Sequence, residues 1–307
     1  MRWRCFGVEI DYAQGLGLHA LRWARADRSG GAMQPETMID KQIGPYLVQS
    51  KLGQGGVGAV YLAKDTRSGL HVAVKMLHDR LTGHERARSR FVREAEVLAR
   101  LKHPRIVQVL DFLQLPEGFF IILEFARGET LESGLQRLGP FDWSNCVEWF
   151  CEALDALDYA HQQGVIHRDV KPGNMIVQMD GKLKMLDFGM AKLSDAEKQL
   201  TAPGMTLGTI AYMSREQLLG KKLDPRSDFY SLGVSLYEIV TGRLPFWSEV
   251  DRELAMKIVK EEARPPSEFS KKLPSAADPV ILKALMKKPK DRYQTAAEFR
   301  DALRGSL

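Results

Sequence analysis

Val165-Ile166-His167-Arg168-Asp169-Val170-Lys171-Pro172-Gly173-Asn174 places a carboxylate, an ammonium and a side-chain amide within six residues. The three groups have complementary chemistry. Asp169 can accept a hydroxyl proton, and Lys171 can offset charge on a phosphoryl group. Asn174 offers an amide oxygen, the hard donor that Mg²⁺ prefers. Asp187-Phe188-Gly189 follows 18 residues after Asp169, behind a short predicted strand, and supplies a second carboxylate for a metal.

Working upstream, Gly53-Gln54-Gly55-Gly56-Val57-Gly58 has the spacing G-x-G-x-x-G. A dinucleotide fold needs such glycines to open a helix. Here they run into Ala59-Val60-Tyr61-Leu62, which is rich in β-formers. A Walker loop needs Gly-Lys-Ser/Thr at its end, and this stretch has none. Two readings remain: an ordinary hairpin turn, or a hairpin that folds over a nucleotide's phosphates. In the latter, the missing Cβ atoms let backbone N–H groups approach the oxygens. Lys75 ends the next strand, Val72-Ala73-Val74-Lys75. It is either an exposed strand lysine or a phosphate ligand. Glu94, 19 residues later on a helical stripe of Phe91, Ala95, Leu98 and Leu101, is placed to hold it.

Taken together and in this order, these elements resemble the eukaryotic-type (Hanks-type) serine/threonine protein kinases, bacterial branch, from Tyr46 to Arg304. Two later features join the match. Asp228 in Asp228-Phe229-Tyr230-Ser231-Leu232-Gly233 resembles the aspartate that anchors the catalytic loop. Arg292 resembles the arginine that pairs with a buried glutamate, here Glu216. The resemblance implies an α+β, bilobed protein-kinase-like fold, with a small β-rich N-lobe holding one key helix and a larger α-helical C-lobe. It implies an N-lobe and hinge over 44–126 and a C-lobe over 127–307. Residues 1–43 show no strong periodicity and read as a disordered extension, against a docking helix.

The same resemblance implies roles. ATP would lie under Gly53, Gln54, Gly55, Gly56, Val57 and Gly58, with its adenine between Val60, Ala73 and Ile176. The hinge Glu124-Phe125-Ala126 would bond it, and Leu123 would be the gatekeeper. Glu129 would touch ribose or a basic substrate residue, or is a solvated glutamate. Lys75 and Glu94 would grip the α- and β-phosphates, and Asn174 and Asp187 would hold Mg²⁺, with Mn²⁺ as a substitute. Asp169, Lys171 and Thr209 would serve the acceptor hydroxyl of a Ser or Thr in a protein substrate. Leu98, Val109, His167 and Phe188 would stack in the active form. Thr201 and Thr206 are candidates for regulatory phosphorylation, against ordinary loop threonines; Arg168 would pair with such a phosphate. Autophosphorylation implies a homodimer. Two departures stand out: Ser214-Arg215-Glu216 replaces Ala-Pro-Glu, and Ile210 follows Thr209 where many relatives have proline. The alternative is a nucleotide-binding scaffold without efficient transfer.

Composition agrees with a globular chain: 307 residues, 44% hydrophobic, 27% charged. Forty-four basic residues against 39 acidic ones argue against a nucleic-acid binder. Cys5, Cys146 and Cys151 have no metal spacing and suggest a reducing compartment. No stretch reaches the ~18 apolar residues of a membrane span. Glu9 and Asp11 interrupt any signal peptide, so a cytoplasmic protein is expected. The patterning predicts helices over 143–163, 227–241, 249–261, 279–286 and 295–304, with loop from 189 to 212. Arg86–Arg93 and Lys287-Lys288-Pro289-Lys290 read as solvated charge.

Overall fold

A computed structural model of the chain describes residues 2–5, 8–11, 38–54, 58–77, 97–115, 118–188 and 207–307. The small lobe is an antiparallel sheet of β3 (Gln42–Ile43), β4 (Tyr46–Gln54), β5 (Gly58–Asp65), β6 (His71–Leu77), β7 (Val109–Leu115) and β8 (Gly118–Glu124). Its strand order is β3-β4-β5-β6-β8-β7. Ahead of it, β1 (Arg2–Cys5) pairs with β2 (Val8–Asp11), so part of the segment expected to be disordered is strand. The small lobe also begins before residue 44. Met38 and Ile43 are buried in its core, and Val48 N–H donates to Lys41 O at 2.9 Å.

Strand alternation gives this sheet two faces. Val48, Tyr61, Ala63, Val72, Val74, Phe120 and Ile122 close one apolar cluster. In register, Val60 faces Lys75, Leu62 faces Ala73, Lys75 faces Ile121 and Ala73 faces Leu123. Those residues therefore share the other face, which looks toward the large lobe. The periodicity that fills one core thus lines a cleft with Val60, Ala73, Lys75 and Leu123.

The large lobe is helical. Strand β9 (Gly128–Thr130) leads into α1 (Leu131–Leu138) and α2 (Trp143–Gln162). The long α2 ends at the glycine the sequence marks: Gly164 has φ +75°, a left-handed value glycine adopts without a Cβ penalty. A hairpin of β10 (Met175–Gln178) and β11 (Leu183–Met185) follows, with β9 as its third strand. Then come α3 (Leu207–Ile210), α4 (Arg215–Leu218), α5 (Pro225–Thr241), α6 (Asp251–Lys260), α7 (Ala277–Ala284) and α8 (Ala296–Arg304). The stretch expected to be loop up to residue 212 thus ends in a helical turn. Helix α5 is buried along nearly its whole length. Its Gly233 lies so close to α7 that an added Cβ would sit 2.7 Å from the Ala284 Cβ.

Cys146 and Cys151 are buried free thiols, and burial pushes both pKa values up. Lys287 is not solvated: its Nζ donates to Ile258 O at 2.9 Å, near the end of α6, and lies 4.0 Å from the Phe246 ring centroid. Burial lowers its pKa to about 8, while the carbonyl and the ring face give its charge partners. The Arg86–Arg93 run lies outside the described residues.

Candidate active site

The candidate catalytic loop is pinned from below by one carboxylate. Asp228, in the first turn of α5, accepts from His167 N–H at 2.8 Å (Oδ2) and from Arg168 N–H at 2.9 Å (Oδ1). His161 Nε2 lies 2.7 Å from the same Oδ2. Burial alone would raise the Asp228 pKa; His161 and these bonds reverse that and hold it below the usual carboxylate range. Arg168 takes φ +71°, a left-handed value that costs a non-glycine residue of order 1–2 kcal/mol. The two anchored N–H groups hold the chain where it enters that turn. His167 Nε2 meets Leu186 O at 2.8 Å, and its ring lies 4.4 Å from Phe188.

Within the loop the three polar groups converge as their spacing predicts. Lys171 Nζ lies 2.9 Å from Asp169 Oδ2. Asn174 Nδ2 donates to Asp169 O at 2.7 Å and to Asp169 Oδ2 at 3.0 Å. That leaves Asn174 Oδ1 with no donor among the described residues. The Leu186 N–H donates to Asn174 O at 2.9 Å, which brings the strand end carrying Asp187 beside Asn174. Asp187 has φ +57°, a second strained turn at the same place. Lys75 Nζ, almost fully buried, donates to Asp187 Oδ2 at 2.7 Å. Burial pushes the Asp187 carboxyl up, but Lys75 outweighs it, helped by His167 and Lys171, and the pKa ends below the ordinary value. One Asn174 oxygen without a donor and an ionised, partly exposed carboxylate form an oxygen donor set that fits Mg²⁺.

At the hinge, Ala126 is buried, yet neither its N–H nor its C=O is hydrogen-bonded among the described residues. Glu124 turns away from the cleft: its carboxylate pairs with Lys184 on β11 and accepts from Gln108 N–H at 3.3 Å. Ile176 on β10 pairs in register with Lys184 and Thr130. Gly128 is required here, because a Cβ would sit 2.2 Å from Val177 O. A Cβ at Gly53 would meet nothing within 4 Å. Glu129 is bidentate with Arg137, at 2.6 and 3.2 Å. Leu98, Val109, Leu123 and Phe188 line a cavity beside Asp187. Gly55, Gly56, Val57, Glu94, Thr201 and Thr206 lie outside the described residues.

Beyond the cleft, Thr209 makes no side-chain hydrogen bond to Asp169 or Lys171 among the described residues. Ile210 is buried, and Arg215 opens α4. Glu216 and Arg292 are paired as expected, with Nη1–Oε1 at 2.6 Å and Nη2–Oε2 at 2.9 Å, both side chains buried. Tyr212 O–H donates to Glu238 Oε2 at 2.5 Å. Sequence reasoning missed Lys184, His161 and Gln217. Only Gln217 carried a local signal, since Ser214-x-x-Gln217 is a helix-capping spacing.

A two-lobed fold with this loop, this lysine–aspartate pair and this glutamate–arginine pair defines a protein kinase domain, and the chain belongs to the protein kinase family. The family's protein kinase domain matches residues 46–302. The chain is 39% identical over 300 residues to the serine/threonine-protein kinase Pkn1 of Myxococcus xanthus, covering 92% of this chain and 43% of that protein. It is 41% identical over 260 residues to PknB of Mycobacterium tuberculosis, covering 83% of this chain and 42% of that one. It therefore spans less than half the length of these curated relatives. The crystal structure of the PknI kinase domain of Mycobacterium tuberculosis superposes with a TM-score of 0.68 at 26% identity, covering 87% of this chain and 98% of that one. The bilobed α+β expectation holds. Among the described residues, no helix is long and apolar enough to cross a membrane.

Proposed function

We propose that the chain transfers the γ-phosphoryl group of ATP to Ser or Thr hydroxyls of proteins, its own activation segment included. The observation that carries this reading is the convergence of Asp169, Lys171 and Asn174 beside the Lys75–Asp187 pair. Phosphoryl transfer needs positioning and charge neutralisation more than covalent help. The Ala126 backbone takes the adenine edge, and Val60, Ala73 and Ile176 flank the ring. Gly53 to Gly58 cover the phosphates. Lys75 steadies the α- and β-phosphates, with Glu94 as its second partner. Asn174 and Asp187 hold Mg²⁺ or Mn²⁺, which when bound neutralises charge on the phosphate oxygens. Asp169 orients the acceptor hydroxyl and takes its proton, while Lys171 offsets charge on the transferred group. Thr209 seats the acceptor, and a ribose contact by Glu129 exchanges with its Arg137 pairing. Thr201 and Thr206 receive phosphate from a second copy in a transient homodimer. The reading places the protein in the cytoplasm with no nucleic-acid partner.

The test is incubation with labelled ATP and Mg²⁺, with and without a generic basic protein. Incorporation by the wild type and none by Lys75→Met is the expected result. No incorporation by either would leave a nucleotide-binding scaffold. Mass spectrometry of the labelled protein should place phosphate on Thr201 or Thr206.

A further inference from the structure

Gln217 sits at the third position of α4 and has two jobs at once. Its Oε1 accepts from Ser214 N–H at 2.9 Å and from Ser214 O–H at 3.0 Å, while its own N–H donates to Ser214 Oγ at 3.4 Å. That closes a capping box on the helix that follows the acceptor-side segment. Its Nε2 donates to Arg168 O at 2.9 Å, 49 positions away in the catalytic loop. The orientation of the amide is fixed by chemistry. A backbone N–H only donates and a carbonyl only accepts, so Oε1 must face Ser214 and Nε2 must face Arg168.

Arg168 C=O belongs to the peptide unit whose N–H is that of Asp169. On the far side of that unit, Asp169 N–H donates to His167 Nδ1 at 3.3 Å, a long bond. The preceding N–H groups are both taken by Asp228. Asp228 therefore fixes the entry to the strained turn at Arg168, and its exit, the peptide directly before the candidate base, is held on its carbonyl by Gln217. We infer that Gln217 is a positioning residue for phosphoryl transfer: it couples the seating of residues 207–216 to the orientation of the peptide unit that carries Asp169. The inference rests on the phosphotransfer reading above, and it assigns Gln217 no contact with either substrate.

The two jobs separate in Gln217→Glu. A carboxylate still accepts from Ser214, so the capping box survives, but it cannot donate to Arg168 O and sets negative charge against that carbonyl. Gln217→Ala loses both. With wild type as reference, kcat and KM for ATP are measured alongside thermal midpoint and amide exchange over residues 166–170. Gln217→Glu should lower kcat roughly tenfold or more, the scale of one lost hydrogen bond expressed at the transition state. KM for ATP should hold within about twofold, less than 0.5 kcal/mol. The thermal midpoint should stay close to wild type, with faster exchange over 166–170. Gln217→Ala should lose kcat and midpoint together. An unchanged kcat and unchanged exchange in Gln217→Glu would overturn the inference, as would a fall in midpoint as large as that of Gln217→Ala. Wild type without activity, but with faster exchange in Gln217→Glu, would overturn the phosphotransfer reading and leave the coupling in place.

Discussion

Lys75 and Asp187 meet at 2.7 Å across the cleft, although 112 positions separate them. The strand lysine of the small lobe is thus paired directly with the carboxylate assigned to the metal. Replacing Asp187 with Asn removes the negative charge of that pair and leaves the metal a neutral amide oxygen in place of a carboxylate. Transfer from ATP should then fall by at least 10²-fold, on the scale of losing one major electrostatic group. Dependence on Mg²⁺ should shift to higher concentration. A steady-state titration with Mg²⁺ at fixed ATP measures both, and an unaltered Mg²⁺ midpoint would refute the metal assignment.

Asp169→Asn keeps the size of the side chain and its contact with Asn174, but removes proton acceptance and the charge that holds Lys171. Transfer should drop by ~10²–10⁴, the usual range for a general base. Nucleotide binding, followed by fluorescence of an ATP analogue, should remain within a few-fold of wild type. Normal phosphorylation by this variant would sink the role given to Asp169.

Arg292 is fully buried and forks onto Glu216 with two bonds while also donating to Met286 O and Arg226 O. Arg292→Leu leaves the Glu216 charge buried without its partner. Removing one member of such a pair costs about 3–5 kcal/mol, more than an exposed ion pair contributes. Denaturant unfolding should show that loss. A change under 1 kcal/mol would mean water reaches Glu216 in the folded state.

Acid should destabilise the fold through the same groups. Burial tends to raise the pKa values of Glu216 and Asp228, but Arg292 for one and His161 for the other leave both below ordinary carboxylate values. A carboxyl whose folded pKa lies below its unfolded one stabilises the fold above the unfolded pKa, about 4. That contribution disappears as pH falls through the folded value. The thermal midpoint should be nearly level from about pH 7 to 5 and fall below about 4.5. Glu216→Gln should flatten part of that acid slope; an identical slope would assign it to other carboxylates.

Gly128→Ala would drive a Cβ into the Val177 carbonyl, a backbone atom that cannot swing aside. The hinge must move instead. A rise in KM for ATP should accompany a stability loss of about 1–3 kcal/mol. Stability loss with unaltered KM would place the strain away from the nucleotide.

Much of the site was legible because its chemistry is local in sequence. Asp169, Lys171 and Asn174 fall within six residues, so spacing alone put them together, and the structure joins them with direct bonds. Pairs formed by the fold are another matter. Glu216 and Arg292 are 76 positions apart, and only likeness to a family connected them. Lys184 and Glu124, 60 apart, gave no sign, because a lysine in a strand looks the same whether it faces water or a hinge carboxylate. Met38 was read as extension because six residues are too few for a period to emerge, yet it fills the small lobe's core. Lys287 misled for a related reason: a run of lysines looks solvated until an aromatic face and a helix-end carbonyl are brought to one of them.

Asp228 belongs to α5, the helix deepest in the large lobe, whereas Lys75 belongs to the small lobe's sheet. The loop proposed to activate the acceptor is therefore fastened to a helix buried along nearly its whole length, and the lysine proposed to grip the phosphates is carried by the other lobe. Under the proposed function, a swing of the small lobe about Glu124-Phe125-Ala126 would open the cleft to exchange spent nucleotide for fresh while Asp169 keeps its place. On that reading the group that accepts the proton need not be rebuilt at each cycle; only the grip on the donor is released and renewed.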